Sequence, residues 1–312
     1  MLLDYETLRV IWWLLLGVLL VGFAIMDGFD LGVGILLPFV SKSDQERRVV
    51  INTVGPVWEG NQVWFVLGGG AVFAAWPFVY AVSFSGFYFA MFIVLLALIL
   101  RPVAFKYRSK IDDPRWKQTC DWALFISGFV PSLIFGVAIG NVLQGVPFHF
   151  DENLRSFYTG NFFGLLNPFA LLCGLVSVSM LMLQGSTYLA VKTEANVQRL
   201  SIYAARISSV IFIILFAIAG LWVMHKLSGY LIAKPMLHNG FSNPLHKTVI
   251  REIGAWIHNY SQYAWTITAP VTGFLGALVA LLFVKRCSKV AFVASSLSIV
   301  GVIATVGASM FP

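Results

Sequence analysis

Apolar residues run along this chain in eight long stretches, at residues 11–37, 57–76, 78–100, 122–143, 164–189, 202–224, 264–284 and 290–310, divided by short polar segments. A bilayer core about 30 Å thick takes roughly 20 apolar residues at about 1.5 Å rise each, so every stretch predicts a transmembrane helix. The first run is too long and too rich in aspartate for a cleaved signal peptide. Between the sixth and seventh runs, Asn243-Pro244 resembles a helix start. Leu245, Val249, Ile253, Trp256 and Ile257 follow at helical spacing, which predicts an amphipathic helix near 244–260 lying on the outer surface against lipid or a partner.

The expected architecture is an all-α polytopic membrane protein of about eight transmembrane helices in antiparallel bundles. One membrane domain spans 1–312, with a helix bundle over 1–143, an outer loop over 144–163 and a second bundle over 164–312. Composition agrees: 59% of the 312 residues are hydrophobic and 11% charged, against about a quarter charged in an average soluble domain. The net charge of +7 could point to nucleic acid, but its distribution assigns it to the membrane. Loops after runs one, three, five and seven carry 15 of the 21 Lys and Arg, so those loops face the cytoplasm and both termini lie outside. No nucleic-acid partner is expected. Cys120, Cys173 and Cys287 have no CxxC spacing and imply neither a disulfide frame nor a thiolate metal site.

Ionisable groups at membrane depth are costly and mark function by default. Asp27 and Asp30 are three residues apart on the first helix, which puts both on one face. Glu59, Asn61 and Gln62 enter the second helix at nearly the same depth, and Arg101 ends the third, followed by Pro102, which is expected to break it. Depth alone therefore groups three carboxylates and a guanidinium, either as a proton inlet or as mutually neutralising charges that lock helices together. Trp58 and Trp64 sit beside this group. Gly22, Gly28, Gly32, Gly34 and Gly68–Gly70 are expected to let helices approach closely. His149, His225, His238, His246 and His258 all fall in outward segments or at the outer end of the sixth run, so a haem held by this chain alone is not expected.

The chain resembles subunit II of the cytochrome bd-type quinol oxidases over essentially its whole length. The resemblance is carried by DYETLRVIWWLLLGVLLVGFAIMDGFDLGVG at 4–34, WEGNQVW at 58–64, FAAWP at 73–77, FSGFY at 84–88, RPVAFKYRSK at 101–110, GNVLQGVPF at 140–148, YTGNFFGLLNPF at 158–169 and REIGAW at 251–256. It implies a heterodimer in the bacterial cytoplasmic membrane in which subunit I holds two haems b, haem d and the quinol site, and this chain ligates none of them. Quinol and dioxygen would be substrates of the complex. It further implies that Asp27, Asp30, Glu59 and Arg101 serve proton uptake, with Trp58, Asn61 and Gln62 in support, and that Trp64 lines an oxygen route. Where the family often has Asp, this chain has Glu59. Family members generally carry one more helix after the segment ending here in ASMFP. Small accessory subunits and a quinone bound to this subunit are left open. From the residues alone, a proton-coupled transporter and a purely structural subunit compete with this reading.

Overall fold

The computed structural model describes residues 4–233 and 243–311. The chain is dominated by helices: α1 (Tyr5–Val40), α2 (Asp44–Val54), α3 (Trp58–Ala75), α4 (Pro77–Gly86), α5 (Tyr88–Tyr107), α6 (Pro114–Gln144), α7 (Pro168–Lys192), α8 (Ala195–His225), α9 (Ala255–Gln262), α10 (Thr268–Phe283) and α11 (Ser288–Met310). Two short antiparallel hairpins accompany them, β1 (Phe148–Phe150) with β2 (Ser156–Tyr158), and β3 (Ser228–Ile232) with β4 (Val249–Ile253).

Among the described residues, seven helices are long and apolar enough to cross a membrane: α1, α5, α6, α7, α8, α11 and the segment Ala264–Phe283 that contains α10. The eighth expected crossing, 57–76, exists as α3, but its first turns, Trp58 to Gln62, are too polar for the whole helix to qualify on hydropathy. The expected third run, 78–100, is bent rather than continuous. α4 and α5 meet at Phe87, where the backbone turns to φ −99° and ψ 20°, while the Phe87 N–H still donates to the Ser83 carbonyl at 2.9 Å. Pro102 does not end its helix. α5 continues to Tyr107, because a proline near a helix end removes a single hydrogen bond and the packed surroundings hold the remaining turn.

α7 is the centre of the packing, in contact with α1, α6, α8 and α11. Helices in lipid gain no hydrophobic driving force from meeting one another, so close backbone approach has to supply the attraction. Glycine provides it at several crossings. A Cβ on Gly185 of α7 would stand 2.5 Å from the Gly32 carbonyl carbon of α1, and one on Gly128 of α6 would stand 2.5 Å from the Leu31 oxygen. Gly276 of α10 similarly lies against the Ala294 oxygen of α11, at 2.5 Å from a Cβ. Gly68, Gly69 and Gly70 behave differently from expectation: among the described residues, no atom of another helix lies within 4 Å of a Cβ placed on any of them.

The segment predicted as an amphipathic helix near 244–260 is instead a 3-10 turn (Pro244–His246), the strand β4 and the short helix α9. Val249, Arg251 and Ile253 also satisfy a strand's two-residue period, and pairing with β3 satisfies the backbone. This hairpin is anchored on the end of α6. The Trp256 indole N–H donates to the Leu143 carbonyl at 3.0 Å, and Arg251 donates to the Gln144 carbonyl at 2.8 Å. These carbonyls belong to the last helical turn and have no intrahelical partner. Gly145, at φ +80°, then turns the chain with the Tyr230 hydroxyl packed where a Cβ would be.

Candidate functional site

Asp27 and Asp30 lie in the half of α1 that is buried, between Ala24 and Val40. Two residues on neighbouring helices answer them. An Arg101 guanidinium nitrogen of α5 lies 2.6 Å from an Asp27 carboxylate oxygen, with both side chains at most 3% exposed. The Asn61 amide of α3 donates to Asp30 at 2.9 Å. Asp30 is 5% exposed and Asn61 likewise. The arrangement is incompletely satisfied: Asp30 Oδ1 and Arg101 Nη2 are buried and have no hydrogen-bond partner among the described residues. Buried polar atoms of this kind are usually satisfied by water or another chain.

Glu59 does not join this group. It lies 3.4 Å from Lys106, and the two side chains are 64% and 65% exposed. The reason is helical geometry: residues two apart on an α-helix point about 200° apart, so with Asn61 turned inward, Glu59 must face out. Trp58, one residue earlier, is buried and stacks on Phe105 at 5.3 Å between ring centres. Gln62 is half-buried and makes none of the cluster's hydrogen bonds. Trp64 is also half-buried, and its indole fills the notch left by Gly22 of α1, at 2.5 Å from where a Cβ would be. Phe23, Phe65 and Phe135 pack ring to ring nearby, with centres 5.3 to 5.5 Å apart.

A second polar centre was not anticipated. Beyond the end of α5, the Arg108 side chain is only 2% exposed and grips Asp121 of α6 with two nitrogens, Nε to Oδ1 at 2.7 Å and Nη2 to Oδ2 at 3.2 Å. Arg47 reaches the same carboxylate at 2.9 Å, and Arg108 also donates to Asp44 at 2.8 Å. Lys117 bridges Asp112 and Asp44. The Arg108 hydrogen bond, outweighing partial burial and aided by the charges of Arg108 and Lys117, holds the Asp44 carboxyl below its ordinary pKa. The network ties α2, α5 and α6 together. Asp121, a lone acid at the start of an apolar run, was the signal that could have disclosed it.

The loop after α1 is fixed from the other side. Ser43 and Glu46 form a capping box at the start of α2, and the Asn196 amide of α8 donates to Glu46 at 2.8 Å. A third polar group lies between α7 and α11. Ser295 donates to the Gln184 carbonyl oxygen at 2.6 Å, Gln184 donates to Ser296 at 2.9 Å, and Thr187 and Ser295 are 2.9 Å apart. All of its donors have partners, which suits helix association in an apolar medium.

The described histidine side chains are spread over separate elements. His149 lies on β1, stacked on Phe157, His225 is the last residue of α8, and His258 lies on α9. His238 and the side chain of His246 fall outside the described residues. Among those described, no three His, Cys, Asp or Glu side chains converge as a metal site.

Comparison with known proteins identifies the family. The sequence model of the family described as cytochrome bd terminal oxidase subunit II matches residues 8–312. The chain is 51% identical over 311 residues to cytochrome bd-I ubiquinol oxidase subunit 2 of Escherichia coli (strain K12), covering 99% of this chain and 82% of that one. It is 50% identical, with the same coverage of 99% and 82%, to the probable cytochrome oxidase subunit 2 of Haemophilus influenzae. It is 38% identical to cytochrome bd ubiquinol oxidase subunit 2 of Bacillus subtilis, over 69% of this chain and 63% of the relative. The fold is similar to a chain in the structure of bd oxidase from Geobacillus thermodenitrificans, with a TM-score of 0.71 at 16% identity over 98% of this chain and 85% of the other. This chain, with its multi-pass helical architecture, belongs to the cytochrome bd terminal oxidase subunit II family.

Proposed function

We propose that this chain is the second subunit of a quinol:dioxygen oxidoreductase of the bacterial cytoplasmic membrane, working as one membrane domain beside a partner that carries two haems b, haem d and the quinol site. It stabilises that partner and supplies a proton inlet and part of an oxygen route for aerobic respiratory electron transport. Isolated, it catalyses nothing.

The observation that carries this reading is the buried group Asp27–Arg101 and Asp30–Asn61, with one oxygen and one nitrogen left without a protein partner. A cluster that served only to neutralise charge would gain by satisfying every donor and acceptor. Carboxylates with an amide and accessible polar atoms are what proton relays use. We assign the exposed Glu59–Lys106 pair to proton entry at the surface and the buried Asn61–Asp30 pair to the interior of the route. Bias of Lys and Arg toward the loops on this side assigns it to the cytoplasm, where protons consumed in reducing oxygen to water must come from. We assign Trp64, with the apolar Phe23, Phe65 and Phe135 rings packed nearby, to the lining of the oxygen route.

Partner docking is supported by α3. Val63, Val66, Leu67 and Phe73 are exposed beside Gly69 and Gly70, whose Cβ positions meet no described residue of another helix, a surface a second membrane protein could approach closely. Purification of the native complex tests the assignment. Co-elution with a haem-bearing chain is expected, and a preparation that runs alone without haem absorbance would overturn it.

One observation favours a second reading. The 2.6 Å Asp27–Arg101 contact is a direct buried ion pair, which by itself serves to pin α1 to α5. Amide substitutions with haem content measured in parallel separate the two: lost haem and failed assembly indicate pinning, whereas lost turnover with haem retained indicates proton delivery.

A further inference from the structure

We propose that the groove between α5 and α6, at the basic end of the bundle, binds one anionic phospholipid, with its phosphate on Arg115 and an acyl chain along Trp122 and Ile126. The groove has a volume of about 510 Å³ and is lined by Arg115, Gln118, Thr119, Trp122 and Ile126 of α6 with Leu100 of α5. Positions 115, 118, 119, 122 and 126 fall on one stripe of a helix. Down that stripe the chemistry changes in one direction, from a cation through an amide and a hydroxyl to an indole and then an aliphatic side chain. From Arg115 to Ile126 is 11 residues along α6, about 16 Å, comparable to the roughly 20 Å from headgroup to midplane of one leaflet. Trp122, 47% exposed, lies between the polar and apolar parts, the position that indole rings favour at a membrane interface.

Charge selects the occupant. Residues 101–117 hold six basic residues and two acidic ones. Most of those cations are committed: Arg101 to Asp27, Lys106 to Glu59, Arg108 to Asp44 and Asp121, and Lys117 to Asp112 and Asp44. Lys110 sits over the Tyr107 ring. Arg115 makes no ion pair among the described residues, and the Asp113 carboxylate next to it is occupied by the Arg115 backbone N–H. A phosphate diester supplies the missing anion, and a guanidinium binds it through two parallel hydrogen bonds. A zwitterionic lipid offers the same phosphate with a cation beside it, and is disfavoured in a surface already rich in Lys and Arg.

The test uses the assembled oxidase in nanodiscs of phosphatidylcholine containing an equal mole fraction of either brominated phosphatidylglycerol or brominated phosphatidylcholine. Bromine quenches nearby indoles, and the difference between wild type and W122F isolates the Trp122 signal. The expected result is stronger quenching by the anionic lipid, a preference of about fivefold as for one basic residue at an anionic surface, retained in R115K and lost in R115Q. Native mass spectrometry of the unmodified complex supplies a check that needs no variant, with phosphatidylglycerol retained in preference to phosphatidylcholine. Equal quenching by the two lipids, an R115Q variant that keeps the preference, or cross-linking of a probe at Thr119 to the partner subunit would each overturn the proposal.

Discussion

The Arg101 guanidinium of α5 lies 2.6 Å from the Asp27 carboxylate of α1, and both are sealed from solvent. Removing one partner strands the other as a buried charge, at a cost of about 3–5 kcal/mol. Asp27→Asn or Arg101→Gln should therefore lower the yield and melting temperature of the assembled complex sharply. The double variant, which removes both charges, should recover a substantial part. A thermal-shift double-mutant cycle measures this, and strictly additive losses would contradict direct pairing.

The crossing of α1 and α7 leaves no room for a side chain at Gly32, where a Cβ would collide with the Leu181 carbonyl oxygen. Backbone cannot yield as a flexible side chain does, so Gly32→Ala should destabilise the protein by about 1–3 kcal/mol. Gly69→Ala has open space within this chain and serves as a contrast: it should leave this subunit's own stability unchanged. Unfolding in detergent followed by tryptophan fluorescence distinguishes the two.

Asp44 supplies a pH dependence outside the membrane. Its carboxyl is held below the ordinary value by hydrogen bonding from Arg108. A depressed carboxyl contributes stability that is fully present above the unfolded-state pKa of about 3.9. That contribution is lost as pH falls through the lower folded value. The difference in melting temperature between wild type and Asp44→Asn should be constant from neutral pH to about 5 and should shrink toward zero below 3.9.

If Trp64 lines an oxygen passage, Trp64→Ala should change the KM for dioxygen while turnover at saturating oxygen stays near wild type, because the ring touches no reacting group. Oxygen electrode traces at limiting and saturating oxygen report both quantities. A fall in saturated turnover with an unchanged KM would contradict the assignment.

The extent of legibility in the sequence follows a physical boundary. Apolar run length is a one-dimensional property, so helix positions could be read directly, and Asp27 and Asp30, three apart, were correctly placed on one face. Rotation about the helix axis is set by packing. Glu59 and Asn61 share a depth yet face opposite ways, because only Asn61 meets Asp30. The strand β4 was misread as helical since Val249 and Ile253 fit both periods, and the choice is made by backbone pairing with β3, which is distant in sequence. Asp121 gives no sign of its pairing in the sequence because its partners, Arg47 in α2 and Arg108 at the end of α5, are distant in sequence and only the fold brings them together.

Proton delivery through this subunit is most directly tested by Asp30→Asn, which keeps the shape of the side chain and its contact with Asn61 while removing the group that exchanges a proton. The measurement is oxygen consumption and proton uptake by the assembled complex in proteoliposomes, normalised to haem content. The account predicts wild-type haem content with turnover and proton uptake both reduced at least about tenfold, less than the about 10²–10⁴-fold effects at proton-transferring groups because water can bypass a single carboxylate. Unchanged turnover and proton uptake in a fully assembled Asp30→Asn complex would contradict it.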